Sequence, residues 1–165
     1  MALRLVGEMV PEFALPSTQG AHVRVSDYRG KRNIGLIFCG AGRSELVRSL
    51  LRQVSNLYAE FVAEEAEFFA AVRGDICEAE DLRCNCDPPF PVLVDRESRA
   101  HDLFGAPVSG QDFLLLVCIV DRYGEVRHIS RAGEPEASFG APEILECVRY
   151  INLECPESGV SEWPA

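Results

Sequence analysis

The sequence predicts an α/β fold with a central mixed β-sheet flanked by helices. Short apolar runs alternate with segments of helical periodicity, which is the pattern of strands laid side by side and covered on both faces. The chain then closes with two strand-like runs around a tight turn, which adds an antiparallel pair to the sheet. Its 165 residues suit one domain with a sizeable core rather than two. Residues 1–165 are therefore read as one domain with a short C-terminal tail from about residue 156.

Turn formers fill residues 7–26 and end in the alternating His22-Val-Arg-Val25, and Ser26-Asp-Tyr-Arg-Gly30 reads as a turn. Ile34 to Cys39 is a short apolar run between polar and glycine residues, so it reads as a buried strand stopped at Gly40. Downstream, Leu46, Val47, Leu50, Leu51, Val54, Leu57, Tyr58, Phe61 and Val62 recur at helical spacing and paint one broad face. Ser44 is the natural N-cap of that helix, because its hydroxyl can accept an orphan backbone N–H. Glu45 suits the positive end of the helix dipole.

Glu67 to Val72 reads as a second buried strand, and Asp75 as the cap of a short helix through Arg83. Arg73-Gly-Asp75 is also a cell-adhesion signature, but a strand-to-helix turn accounts for it. Pro88-Pro-Phe-Pro91 leads into a third strand, Val92 to Asp95, and a helix from Ser98 to Phe104 ends at Gly105. Phe113 to Asp121 is a long apolar strand, and Glu125 to Arg131 alternates as its antiparallel partner across Arg122-Tyr-Gly124. The last helix, about Pro142 to Glu154, puts Ile144, Leu145, Cys147, Val148 and Ile151 on one face before Pro156 stops it.

Charge narrows the function. A formal net charge of −10 repels phosphate backbones and anionic lipid surfaces, so nucleic acid and membrane are set aside as partners. The longest apolar run, Phe113 to Val120, is far short of the roughly 20 residues that cross a bilayer. Met1-Ala-Leu-Arg-Leu-Val-Gly7 lacks the pattern of a signal peptide, and the chain is expected in the cytoplasm. There, seven cysteines (39, 77, 84, 86, 118, 147 and 155) do not read as a disulfide framework. Most are expected to be reduced, and several to be buried as small hydrophobes. The three histidines, His22, His101 and His128, have no evident Cys or Asp partner along the chain and are expected on the surface or at sheet edges.

Several stretches resemble landmarks of one family. These are Val6-Gly-Glu-Met-Val-Pro-Glu-Phe13 with Leu15-Pro-Ser17, then Val25-Ser-Asp-Tyr-Arg-Gly-Lys31, Phe90-Pro-Val-Leu-Val-Asp95 and Ile119-Val-Asp-Arg-Tyr-Gly124. In this order, on this succession of elements, the chain resembles the peroxiredoxin branch of the thioredoxin superfamily, the alkyl hydroperoxide reductases and thiol-specific antioxidants. The resemblance implies a thioredoxin-like fold and thiol oxidoreductase or antioxidant chemistry. The implied substrate is a peroxide or a protein disulfide, with a thioredoxin-type reductant and a homodimer as partners.

The departures from that family matter as much. The resemblance implies a peroxidatic cysteine at the start of the helix after the first strand, where free backbone N–H groups and the helix dipole favour the reactive thiolate. Matching Asn56-Leu-Tyr-Ala-Glu-Phe61 to the family's helix end puts that position at Ser44, and a second cysteine of some relatives at Val47. No cysteine lies between Cys39 and Cys77, so a shift of register restores nothing. A serine hydroxyl stays protonated without a base and forms neither a sulfenic acid nor a disulfide. The family's supporting arginine on the late strand falls at Leu115, while Arg43 and Arg48 near the helix start either compensate or are solvated.

The remaining sulfurs leave alternatives open. Cys39 is the nearest thiol to the vacant position: a relocated nucleophile, or a buried and inert strand-end residue. Cys84-Asn-Cys86 reads as a loop ahead of the Pro-rich turn, where two sulfurs would form a strained, easily reduced disulfide. Adding Cys77, Asp87 or His101 sketches a metal site, but the spacing fits no common zinc pattern, so neither metal nor cofactor is expected. Cys155-Pro-Glu-Ser158 looks like a Cys-x-x-Cys motif without its second thiol. Two functions follow: a thiol redox protein acting through Cys39, Cys84 or Cys86, or a catalytically inactive binding module.

Overall fold

The computed structural model describes residues 6–40, 44–105, 115–132 and 140–154. A hairpin of β1 (Ala14–Pro16) and β2 (His22–Arg24) leads through a 3-10 turn, Val25–Tyr28, into β3 (Asn33–Phe38). Then come α1 (Glu45–Asn56), α2 (Tyr58–Ala63), β4 (Ala66–Arg73), α3 (Ile76–Cys86), β5 (Val92–Asp95) and α4 (Arg99–Leu103). The antiparallel pair β6 (Leu116–Val120) and β7 (Val126–Arg131) precedes α5 (Ala141–Leu153).

The main sheet has the order β5-β4-β3-β6-β7. Strands β3, β4 and β5 are parallel, β6 runs against β3, and β7 against β6. This is the mixed sheet that the element order predicts. All six residues of β3 are buried, because strands flank both its edges and a packed layer covers each face. A strand so enclosed reads as a continuous apolar run rather than an alternating one.

Each face of the sheet carries its own core. On one, Ile37, Cys39, Phe68, Val117 and Ile119 pack against α1, α3 and α5 through Val47, Leu50, Leu51, Leu82, Ile144 and Val148. On the other, Leu36, Phe38, Phe69, Leu116 and Cys118 pack against Val10, Leu15, Val25, Ala100 of α4 and Phe104, which caps its end.

Two helices depart from the sequence reading. The long periodic helix is two, broken at Leu57, whose N–H is shared between the carbonyls of Gln53 and Val54. The restart sets Phe61 against Phe68, with ring centres 4.6 Å apart, and lets the Tyr58 hydroxyl donate to Glu67 at 2.7 Å. The second departure is α3, which runs a further turn, to Cys86. Asp75 and Glu78 form a capping box at its start, Glu80 pairs with Arg83 at 3.0 Å, and Asp87 closes it in a left-handed conformation. Those contacts stabilise a helix whose apolar periodicity is weak.

Gly35 shows how tightly the layers meet. A Cβ there would lie 2.2 Å from the Phe68 ring, which is wedged between Phe61 and Phe90 and cannot retreat. Gly35→Ala is expected to cost about 2–3 kcal/mol through overpacking, read as a lower urea midpoint. A midpoint equal to wild type would show that the ring gives way.

Candidate functional site

The parallel strands β3, β4 and β5 end on the same side of the sheet, and Cys39 and Ser44 follow the end of β3 there, whereas Cys84 and Cys86 lie in the last turn of α3. Ser44 sits at the N-cap of α1 with extended backbone, and its hydroxyl accepts the Leu46 N–H at 3.2 Å. That hydroxyl is therefore already used by the helix. Glu45 follows in the first turn and pairs with Arg52 at 3.3 Å. Arg48 lies one turn along, its Nε buried without a hydrogen-bond partner among the described residues. Arg43 and Cys155 lie outside the described residues.

Cys39 follows β3 directly and is completely buried. Its thiol points back to the Ile37 carbonyl, 3.5 Å away, and its own N–H donates to Ala71 at 2.9 Å. Burial pushes this thiol far up from its ordinary pKa, and a charge on Cys86 adds to the rise. Cys118 on β6 is raised by burial in the same way. Leu115 is buried in the helix-side core, so that position brings no charge to the site.

The α3 cysteines differ from the sequence reading. Cys84 and Cys86 lie in the helix, not in a loop, and two residues along a helix place their side chains on nearly opposite sides. A disulfide needs its Cβ atoms to converge, so the helical form of the motif does not close one. Cys84 is exposed, with an Arg83 guanidinium nitrogen 3.9 Å from its sulfur. Cys86 is partly buried against the helix-side core. Burial raises its thiol, the guanidiniums of Arg52 and Arg48 on α1 pull it back down, Glu45 opposes them, and the net shift is upward. Cys77 is exposed in the first turn of α3, where its N–H donates to the Asp75 carboxylate at 3.0 Å. Asp75 of the Arg-Gly-Asp tripeptide is thus a helix cap. Among the described residues no three His, Cys, Asp or Glu side chains come together to hold a metal ion.

The histidine expectation is corrected at one position. His22 is exposed on β2 and His128 is half-buried on the edge strand β7, but His101 is completely enclosed. The turn from β5 into α4 brings it back onto Asp95. Its Nδ1 lies 2.7 Å from Asp95 Oδ2, which also accepts the His101 N–H at 2.9 Å. Desolvation drives the Asp95 pKa up, but the hydrogen bonds from His101 outweigh it, and the carboxyl is held below its ordinary value. The other ring nitrogen, Nε2, accepts the Gly40 N–H at 3.3 Å. Sequence distance hid the pair, since burial depends on a turn whose geometry no periodicity encodes.

A model of the AhpC/TSA family matches residues 6–129. The thiol-disulfide oxidoreductase ResA of Geobacillus kaustophilus is 27% identical over 125 residues, spanning 75% of this chain and 68% of that protein. ResA of Geobacillus thermodenitrificans is 26% identical with the same coverage. Among solved structures, peroxidoxin BcpB from Mycobacterium tuberculosis superposes with a TM-score of 0.77 at 18% identity, covering 88% of this chain and 97% of that one. Mycobacterium bovis AhpC superposes at 0.78 with 15% identity, covering 96% and 99%. These structural likenesses make the fold thioredoxin-like.

The Asp95–His101 pair has a pH signature. A carboxyl with a depressed folded-state pKa stabilises the fold fully above its unfolded value of about 4, and that contribution is lost as pH falls through the folded value. Asp95→Asn is expected to cost about 2–3 kcal/mol at pH 7 by weakening bonds to buried donors. The gap to wild type should narrow below about pH 4. A gap that stays constant from pH 7 to pH 3 in urea titrations would show that the carboxylate charge contributes nothing.

Proposed function

Because the chain belongs to the AhpC/TSA family, we propose that it is a thiol redox protein that reacts through Cys86, with Cys39 as its buried second sulfur and Ser44 standing where the family's peroxidatic thiol would be. The observation that carries this reading is the setting of Cys86. It is half-buried on α3, within the field of the Arg52 and Arg48 guanidiniums, and its charge is felt by Cys39 in the same core. Those cationic neighbours offset part of the cost of ionising a half-buried thiol, while burial keeps its pKa above the ordinary value.

Peroxide is the weaker candidate substrate. A thiol whose pKa is raised is seldom ionised near neutral pH, and the Ser44 hydroxyl occupies the first amides of α1. With a protein disulfide the low thiolate fraction is partly offset, because the thiolate of a weaker acid is the stronger nucleophile once formed. The names of the two ResA relatives support the same substrate class.

In that reaction Cys86 loses its proton to water and its thiolate attacks one sulfur of the substrate disulfide. The S–S bond breaks, and the departing sulfur takes up a proton. Local opening then lets Cys39 lose its proton and attack the Cys86 sulfur, which releases the second substrate thiol and leaves a Cys39–Cys86 disulfide. Two electrons have passed to the substrate, and an external dithiol of the thioredoxin type restores both thiols. Six free cysteines among the described residues suit a reducing compartment, which we take to be the cytoplasm.

The test offers the reduced protein a small aromatic disulfide and, separately, stoichiometric hydrogen peroxide, with peptide mapping over time. Cys86 should form the first mixed disulfide, faster than it reacts with peroxide. Cys86→Ser should slow the reaction about tenfold or more, and Cys39→Ser should trap the mixed disulfide. Equal rates at Cys77 or Cys84 in Cys86→Ser would overturn the assignment. Thiols that stay reduced for many minutes with both reagents would leave the chain a binding module.

A further inference from the structure

The enclosed Asp95–His101 pair plays no part in that exchange, yet it reaches the residue next to Cys39. His101 and the Asp95 side chain are essentially without solvent contact, so their bonds are not those of an incidental surface pair. The carboxylate takes both the backbone N–H and the ring Nδ1 of His101 on one oxygen. A carboxylate held below its ordinary pKa accepts, so Nδ1 carries the proton and Nε2 keeps its lone pair. The Gly40 N–H fills that lone pair. The other backbone group of Gly40 is held as well, since its carbonyl accepts the Arg73 N–H at 2.6 Å. Gly40 has a φ of 56°, a left-handed conformation that glycine adopts at little cost. The Phe38 ring meets the imidazole edge-on at 5.2 Å and stops it from turning.

We infer that Asp95 and His101 form a positioning pair, in which the carboxylate sets the imidazole tautomer and the imidazole fixes Gly40, so that opening of that bond is the step that frees the end of the strand carrying Cys39. The amide bond is a switchable element. Its partner is a side chain rather than a strand, so it can break without disturbing the Cys39–Ala71 ladder bond behind it. The inference builds on the proposed role of Cys39, but its direct readout is the Gly40 amide, which reports whether or not Cys39 takes part in chemistry.

Two variants separate the pair's contacts. In His101→Asn the amide nitrogen replaces Nδ1 towards Asp95 but nothing reaches Gly40. In His101→Gln the side chain reaches Gly40 and its oxygen can accept the N–H. Hydrogen exchange of the Gly40 amide should quicken about tenfold or more in His101→Asn, with Cys39 alkylation quickening alongside it. The Cys39 amide, bonded to Ala71, should change much less, and His101→Gln should restore most of the Gly40 protection. Equal acceleration at both amides in both variants would mean general loosening and would overturn the inference. The wild-type protein gives a second test through the nitrogen spectrum of His101. A protonated Nδ1 and a bare Nε2 support the pair, and the opposite tautomer refutes it.

Discussion

A fully buried strand, β3, sets the position of everything else. After Asn33 it carries no polar side chain, and polar groups clamp it at both ends. At its start the Asn33 side chain accepts the Arg122 N–H at 3.0 Å and donates to Asn152 on α5 at 2.8 Å. The Asn33 backbone N–H donates to Glu65 at 2.9 Å. Just beyond its end, Gly40 is tied on both its backbone groups, to His101 and to Arg73. A buried polar group is stable only when its bonds are made, so these clamps fix the register as firmly as the apolar contacts fix the layer spacing. The strand therefore delivers Cys39 and Gly40 to one place, at the C-terminal ends of the parallel strands in the middle of the sheet.

That delivery explains why the sulfurs differ so much. Cys39 is carried into the helix-side core by the strand, where desolvation removes its acidity. Cys86 reaches the rim of the same core from α3, where guanidiniums on α1 partly offset the cost of charge. Ser44 stands at the start of α1 and uses its hydroxyl as a cap. The pair that holds the Gly40 N–H lies on the opposite face, with Asp95 at the end of β5 and His101 on α4. On this account the chain keeps the scaffold of a thiol protein and divides its chemistry between the two faces of the sheet.

The fold was legible because its signals are local and repeated. Ile34 to Cys39 and Val92 to Asp95 are apolar runs of strand length, and Ser44 and Asp75 are the capping residues they resemble. The β1 strand was not legible, because Ala14–Pro16 is three residues long and gains its identity only from pairing with β2. The helical state of Cys84 and Cys86 was hidden by weak apolar periodicity and by the proline run that follows. His101 was hidden for a different reason. Its partner is six residues away, and only the left-handed Ser98, with φ of 59°, folds α4 back so that the imidazole meets Asp95. Electrostatic partnerships made across such turns have no sequence period to reveal them.

The central claim is that the mouth of α1 keeps amides and a helix dipole that can activate a sulfur, although Ser44 supplies no thiol there and Leu115 no supporting cation. Titration of the new thiol in Ser44→Cys, together with its rate towards hydrogen peroxide, tests this most directly. The account predicts a pKa below about 7.5 and a reaction about 100-fold or more faster than at any native thiol. A thiol that titrates near the ordinary value of about 8.5 and reacts no faster than its neighbours would contradict it.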